Sequence, residues 1–166
     1  MLKALFLDRD GVINHDPGYV YEVQKLKLID GIIEVIIEAN LKNYLVIVIT
    51  NQAGIAKKKF TLHDMENFHK NLILKCYEKG AIIDDIIFCP HHPNGIIPEY
   101  KKDCMCRKPN PGMILNAAKR FNIDLVNSIL IGDKKTDIDA GHSAGIKNLF
   151  LFKELTHRNK KYFQEK

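Results

Sequence analysis

Short apolar runs recur along the chain, and helical periodicity fills the gaps between them. Residues 3–7 (Lys-Ala-Leu-Phe-Leu), 45–49 (Leu-Val-Ile-Val-Ile), 86–88, 128–131 (Ser-Ile-Leu-Ile) and 147–152 read as five strands. The second is apolar at every position, as in a strand buried on both faces of a parallel sheet. Ile32, Val35, Ile36 and Ala39 share one helical face and predict a helix from Asp30-Gly31 to about Asn43. Thr61, with Asp64 three positions on, has the form of a capping box. It opens a helix carrying Met65, Phe68, Leu72 and Cys76, which stops near Gly80; Cys76 reads as core. Pro111 suits the first turn of a helix over 111–121, and a last helix runs on from Asp133 to about Ala144, with Gly145 as its stop. Strands alternating with helices predict an α/β fold, three layers with helices flanking a parallel sheet. A polar loop with Gly11, Pro17 and Gly18 follows the first strand. Residues 89–110 form a longer loop rich in Cys, His, Pro and Lys, a length that points to function or to a metal tie. The tail after Thr156 is polar and is expected to fray.

With 166 residues the chain has the size of one domain, spanning 1–166, and can bury a core without disulfide staples. The net charge of +5 favours anionic ligands. It does not argue for nucleic acid, because the lysines are spread out, no basic stripe occurs and Trp is absent. Lys57-Lys58-Lys59 reads as a solvated loop. No apolar run reaches the roughly 18 to 20 residues of a membrane span. Asp8 interrupts the N-terminal apolar stretch where an export signal would continue. The expectation is a cytoplasmic protein, by default a monomer, whose four cysteines are thiols or metal ligands.

Polar and charged groups stand where strands end: Asp8 and Asp10, then Thr50 and Asn51, then Asp133 and Asp137. Parallel sheets bind ligands at the carboxyl ends of their strands, so these segments should converge. Carboxylates that converge repel, and a cation is expected among them; a few oxygens plus waters suit Mg²⁺. A carboxylate can attack a phosphoryl group, given a cation, a second acid for the leaving alcohol, and donors around the phosphoryl oxygens. Asp8, Mg²⁺, Asp10, and Thr50 with Lys108 would supply those parts. Taken singly, each residue has an ordinary reading as a turn, cap or surface group.

Asp8-Arg9-Asp10-Gly11-Val12-Ile13, Thr50-Asn51-Gln52, Lys108-Pro109 and Gly132-Asp133-Lys134-Lys135-Thr136-Asp137 resemble, in order, the four signature motifs of the haloacid dehalogenase phosphatases. The resemblance implies a Rossmann-like sheet without a large cap domain, and an open site whose ligands are gripped by loops. It implies Asp8 as nucleophile and Asp10 as general acid/base. Mg²⁺ would sit on the Asp8 side chain, the Asp10 backbone carbonyl and Asp133. Thr50 and Lys108 would hold phosphate, and Asp137 would be a helper.

Cys89-Pro90-His91 and Cys104-Met105-Cys106 offer Cys89, His91, Cys104 and Cys106 as four soft ligands, the set of a closed tetrahedral structural Zn²⁺ site. His92 is the other imidazole within reach. Such a site would tie down the long loop and fix where Arg107 and Lys108 point. The run Cys89-Pro90-His91-His92-Pro93-Asn94-Gly95, together with Gly18-Tyr19-Val20 and Thr50-Asn51-Gln52-Ala53-Gly54-Ile55-Ala56, is similar to the D-glycero-D-manno-heptose 1,7-bisphosphate 7-phosphatases. That resemblance implies hydrolysis of one phosphate of a small phosphosugar, on the route to surface-polysaccharide heptose. Arg107 is the candidate for the second phosphate or the sugar, since a guanidinium fork suits phosphate; its other reading is a salt bridge within the loop. Asn51 is either a substrate contact or a turn residue. The competing functions are histidinol-phosphate phosphatase, which shares these motifs, and an inactive zinc-stabilised binding module.

Overall fold

The computed structural model describes residues 1–152. The expected fraying after Thr156 lies outside them. The elements are β1 (Lys3–Leu7), α1 (Ile32–Leu41), β2 (Tyr44–Asn51), α2 (Leu62–Tyr77), β3 (Asp85–Cys89), α3 (Gly112–Phe121), β4 (Ile129–Gly132), α4 (Lys135–Ala144) and β5 (Asn148–Leu151). All pairings are parallel, in the spatial order β3-β2-β1-β4-β5. The chain winds outward from β1 to β3, crosses back, and winds outward again through β4 and β5. The winding direction therefore reverses beside β1, and the crevice at the carboxyl ends of β1, β2 and β4 is where such sheets bind ligands.

Alternation along β1 explains the layers. Leu5 and Leu7 point to one face with Val46 and Val48, and there they meet Val35 and Ile36 of α1 and Phe68 and Leu72 of α2. Ala4 and Phe6 point to the other face with Ile47 and Ile49, against Met113, Ile114 and Ala117 of α3 and Ala140 of α4. Both faces of the sheet are buried, which is why β2 is apolar along its length. Cys76 is fully buried in the first of these cores.

Helix ends follow local chemistry. The capping box of α2 is present: Thr61 Oγ1 accepts from the Asp64 amide at 3.1 Å, and Asp64 Oδ2 accepts from the Thr61 amide at 2.8 Å. Helix α1 is shorter at both ends than its periodicity predicts. Gly31 has φ of 84° and Asn43 has φ of 58°, so left-handed residues bound it. Pro111 caps α3 from outside, and Gly112 is the first helical residue. No helix among the described residues is long and apolar enough to cross a membrane.

Candidate active site

The crevice holds a pocket of about 300 Å³. Asp8, Asp10, Thr50, Asn51, Arg107 and Lys108 all line it. Asp8 directly follows β1, Thr50 and Asn51 end β2, and Lys108 arrives on the loop between β3 and α3. Asp133 follows β4 and lies against Gly11: a Cβ at position 11 would strike its carboxylate, and Gly11 also has φ of 88°. Glycine is thus required there both for conformation and for room.

Lys108 organises the charges. Its Nζ lies 2.9 Å from Asp8 Oδ1 and 2.7 Å from Asp137 Oδ1, and it donates to the Ile49 carbonyl at 2.8 Å. Only 4% of the residue is exposed. Burial alone would lower its pKa, but the charges of Asp8 and Asp137 outweigh that and hold it above the usual lysine value. Burial raises the Asp8 carboxyl to about 7; Lys108 works against the rise, while Asp137 and Asp10 add to it. Burial also raises Asp133, opposed by Lys134 and aided by Asp137.

The three carboxylates Asp8, Asp133 and Asp137 have oxygens within 4.8 Å of one another. They differ in what they have free. Asp137 Oδ1 is paired with Lys108, and its Oδ2 accepts the Lys134 amide at 3.0 Å. Asp133 Oδ1 is buried with no hydrogen-bond partner among the described residues. A buried carboxylate oxygen without a donor is costly, and a hard cation would satisfy it. The donor set therefore fits Mg²⁺ on Asp8 and Asp133 better than on Asp137.

Asp10 is gripped from several sides. Arg9 Nε and Nη2 donate to its two oxygens at 2.9 and 2.8 Å, Asn14 Nδ2 donates at 2.9 Å, and Gln52 Nε2 at 3.1 Å. The same Gln52 nitrogen donates to Thr50 Oγ1 at 2.8 Å. Asn51 Nδ2 donates to the Lys108 carbonyl at 3.1 Å, and Asn51 Oδ1 accepts the Lys108 amide at 3.0 Å. Arg107 Nη1 donates to the His91 carbonyl at 3.3 Å.

The lysine run does not behave as one solvated loop. Lys58 and Lys59 are exposed, but Lys57 lines the pocket and its Nζ donates to the Tyr19 hydroxyl at 3.0 Å. The turn after β2 folds back over the crevice and carries Lys57 with it. Lys57 thus lines the pocket beside Tyr19, Gln52 and Lys134, which the motifs carry without a role assigned to them. Position was the available signal for Lys57, since it lies a few residues behind the end of β2.

Beside the pocket, Cys89, His91, Cys104 and Cys106 converge. The sulfur–sulfur distances are 3.0 to 3.4 Å, and His91 Nδ1 lies 3.4 Å from Cys106 Sγ and 3.7 Å from Cys89 Sγ. The cysteines are free thiols. Three sulfurs and one imidazole nitrogen around one point could hold a Zn²⁺ ion. His92 stands outside this group, its Nδ1 accepting the Asn94 amide at 3.0 Å.

Known proteins resemble the chain over most of its length. Residues 105–161 match the HAD-hydrolase-like family model. The chain is 45% identical over 157 residues to the D-glycero-alpha-D-manno-heptose-1,7-bisphosphate 7-phosphatase of Photorhabdus laumondii, covering 92% of this chain and 83% of that one. It is 44% identical to the D-glycero-beta-D-manno-heptose-1,7-bisphosphate 7-phosphatase of Pasteurella multocida, covering 92% and 83%. Its fold matches the crystal structure of D,D-heptose 1,7-bisphosphate phosphatase from B. bronchiseptica complexed with magnesium and phosphate. The TM-score is 0.80 at 29% identity, over 90% of this chain and 80% of that one. The chain belongs to the haloacid dehalogenase-like phosphatases, in the same family as these heptose bisphosphatases.

Proposed function

We propose that the protein hydrolyses the C7 phosphate of D-glycero-D-manno-heptose 1,7-bisphosphate, leaving heptose 1-phosphate. The observation that carries this is Asp8, buried at the end of β1 and held against Lys108, in a pocket that also presents Lys57, Arg107 and Lys134. One phosphate is placed at Asp8, and the remaining cations suit the second. Histidinol phosphate brings an ammonium and an imidazole instead, which this cationic wall would repel.

Asp8 attacks the phosphorus of the C7 phosphate, the bond to the C7 oxygen breaks, and Asp10 protonates the departing oxygen. Asp10 then takes a proton from the water that attacks the aspartyl phosphate, which frees Asp8 and inorganic phosphate. Lys108 Nζ and Thr50 Oγ1 offer donors to the transferred group. Mg²⁺ held by Asp8, Asp133 and the Asp10 carbonyl would offset repulsion between the carboxylate and the phosphate. Asn51 acts by splinting Lys108 to the end of β2. Arg107, on the loop tied by a Zn²⁺ at Cys89, His91, Cys104 and Cys106, faces the second phosphate. We read residues 1–152 as one domain, since both cores pack on the one five-stranded sheet. Four cysteines outside any disulfide suit the reducing cytoplasm.

The test is phosphate release with Mg²⁺ from the alpha and beta heptose 1,7-bisphosphates and from histidinol phosphate. One phosphate per sugar, with the C1 phosphate retained by ³¹P NMR, is expected. Preference for histidinol phosphate, or loss of the C1 phosphate first, refutes the assignment. Asp8→Asn should abolish turnover; substantial residual activity would remove Asp8 as nucleophile.

A further inference from the structure

Arg9 is the largest fully buried side chain among the described residues, with 1% of its surface exposed. A guanidinium removed from water must find acceptors for its N–H groups, because it can only donate. Nε and Nη2 grip the two oxygens of Asp10, and Nη2 also donates to the Val20 carbonyl at 3.0 Å. That leaves Nη1, whose partner is His69 Nε2 at 3.0 Å. Since arginine donates, Nε2 is the acceptor, and the ring is neutral with its proton on Nδ1. The neighbouring residue Phe68 lies under the guanidinium, its ring centroid 4.6 Å from Cζ. Two consecutive residues of α2 therefore fix the plane of Arg9, one at its edge and one at its face.

Asp10 sits at the rim of the pocket, with 17% of its side chain exposed. Asn14 and Gln52 each hold one of its oxygens, and the Arg9 fork alone spans both, which fixes the plane of the carboxylate. We infer that His69 is a positioning residue for the acid/base Asp10, acting through Arg9. This rests on the reading of Asp10 proposed above. His69 itself touches neither substrate nor the reacting atoms, and it belongs to none of the four motifs. Its loss lets the fork rotate, and a shift on the order of 1 Å in a reacting group can cost up to about a hundredfold in rate.

The test separates aim from packing by the leaving group. Heptose bisphosphate leaves as an alkoxide and needs a proton; p-nitrophenyl phosphate leaves as a stable phenolate and needs little help. kcat/KM is compared for both substrates in His69→Leu, His69→Gln and Asp10→Asn. His69→Leu should lose about tenfold or more on the bisphosphate and less than about twofold on p-nitrophenyl phosphate. In His69→Gln the Oε1 can still accept from Nη1, so both substrates should stay within about twofold of the parent. His69→Asn, polar but too short to reach Nη1, carries the same expectation as leucine if the leucine variant does not fold. Equal losses on both substrates, no loss on either, or a glutamine variant as impaired as leucine overturns the proposal. Asp10→Asn should show the same discrimination in stronger form. If it does not, the acid/base reading itself fails and this inference falls with it.

Discussion

In Mg²⁺-free protein, two buried groups should pull stability in opposite directions over the same pH range. Asp8 ionises at 3.8 in an unfolded chain and at about 7 here. Between those values the folded state binds a proton that the unfolded state has lost, so this group makes stability fall as pH rises. His69 ionises at 6.5 when unfolded and at about 3 here, because burial and then the charge of Arg9 oppose protonation. Between those values the unfolded state binds the extra proton, so this group makes stability rise with pH. Each contributes about 1.4 kcal/mol for every pH unit, and between pH 4.5 and 6 the two nearly cancel. Substitution separates them. Asp8→Asn keeps only the His69 contribution and should gain about 2 kcal/mol across that interval, while His69→Gln keeps only the Asp8 contribution and should lose about as much. For a chain of this length that is on the order of 4 to 8 °C of opposite drift in Tm. Thermal melts of both variants every half unit of pH provide the assay, and background titration common to both drops out of the difference. Parallel Tm profiles would refute the argument.

Lys108→Met leaves Asp8 and Asp137 buried without their cation; it should destabilise by about 3 to 5 kcal/mol at neutral pH, read by denaturant titration, and lose turnover. Cys104→Ser should lose the zinc and loosen the segment bearing Arg107 and Lys108; full zinc by metal analysis would show that the ligand set is wrong. Lys57→Met should raise KM for the bisphosphate by roughly tenfold, with little change in kcat and less effect on a monophosphate; an unchanged KM would remove Lys57 from binding.

The strands and their order of motifs could be read because a parallel sheet buried on both faces demands uninterrupted apolar runs, and functional groups then follow at the strand ends. Asp8, Thr50 and Asp133 could be placed together for that reason, whereas Lys108, on the long loop, was legible only through its motif. Arg9 and His69 could not be placed together. Arginine next to a catalytic aspartate reads as surface, and a histidine on an apolar helix face reads as core; only the fold brings them to 3.0 Å. Lys57 was obscured by its own neighbours, since three consecutive lysines carry no periodicity to tell a lining residue from a solvated one. Helix ends shifted by two residues at α1 because Gly31 and Asn43 adopt left-handed backbone, which apolar spacing does not report.

The paired bonds between the Asn51 side chain and the Lys108 backbone make one amide imitate a peptide group. β2 and β3 are last in register at Asn51 and Cys89, and there the Asn51 side chain ties the end of β2 to the loop that carries Lys108. Chemical ageing of asparagine converts its nitrogen to oxygen. At position 51 that change would set a carboxylate oxygen against the Lys108 carbonyl, turning a donor into a repulsion. The lifetime of the active form is thereby tied to the integrity of one surface-near amide, independently of the stability of the core.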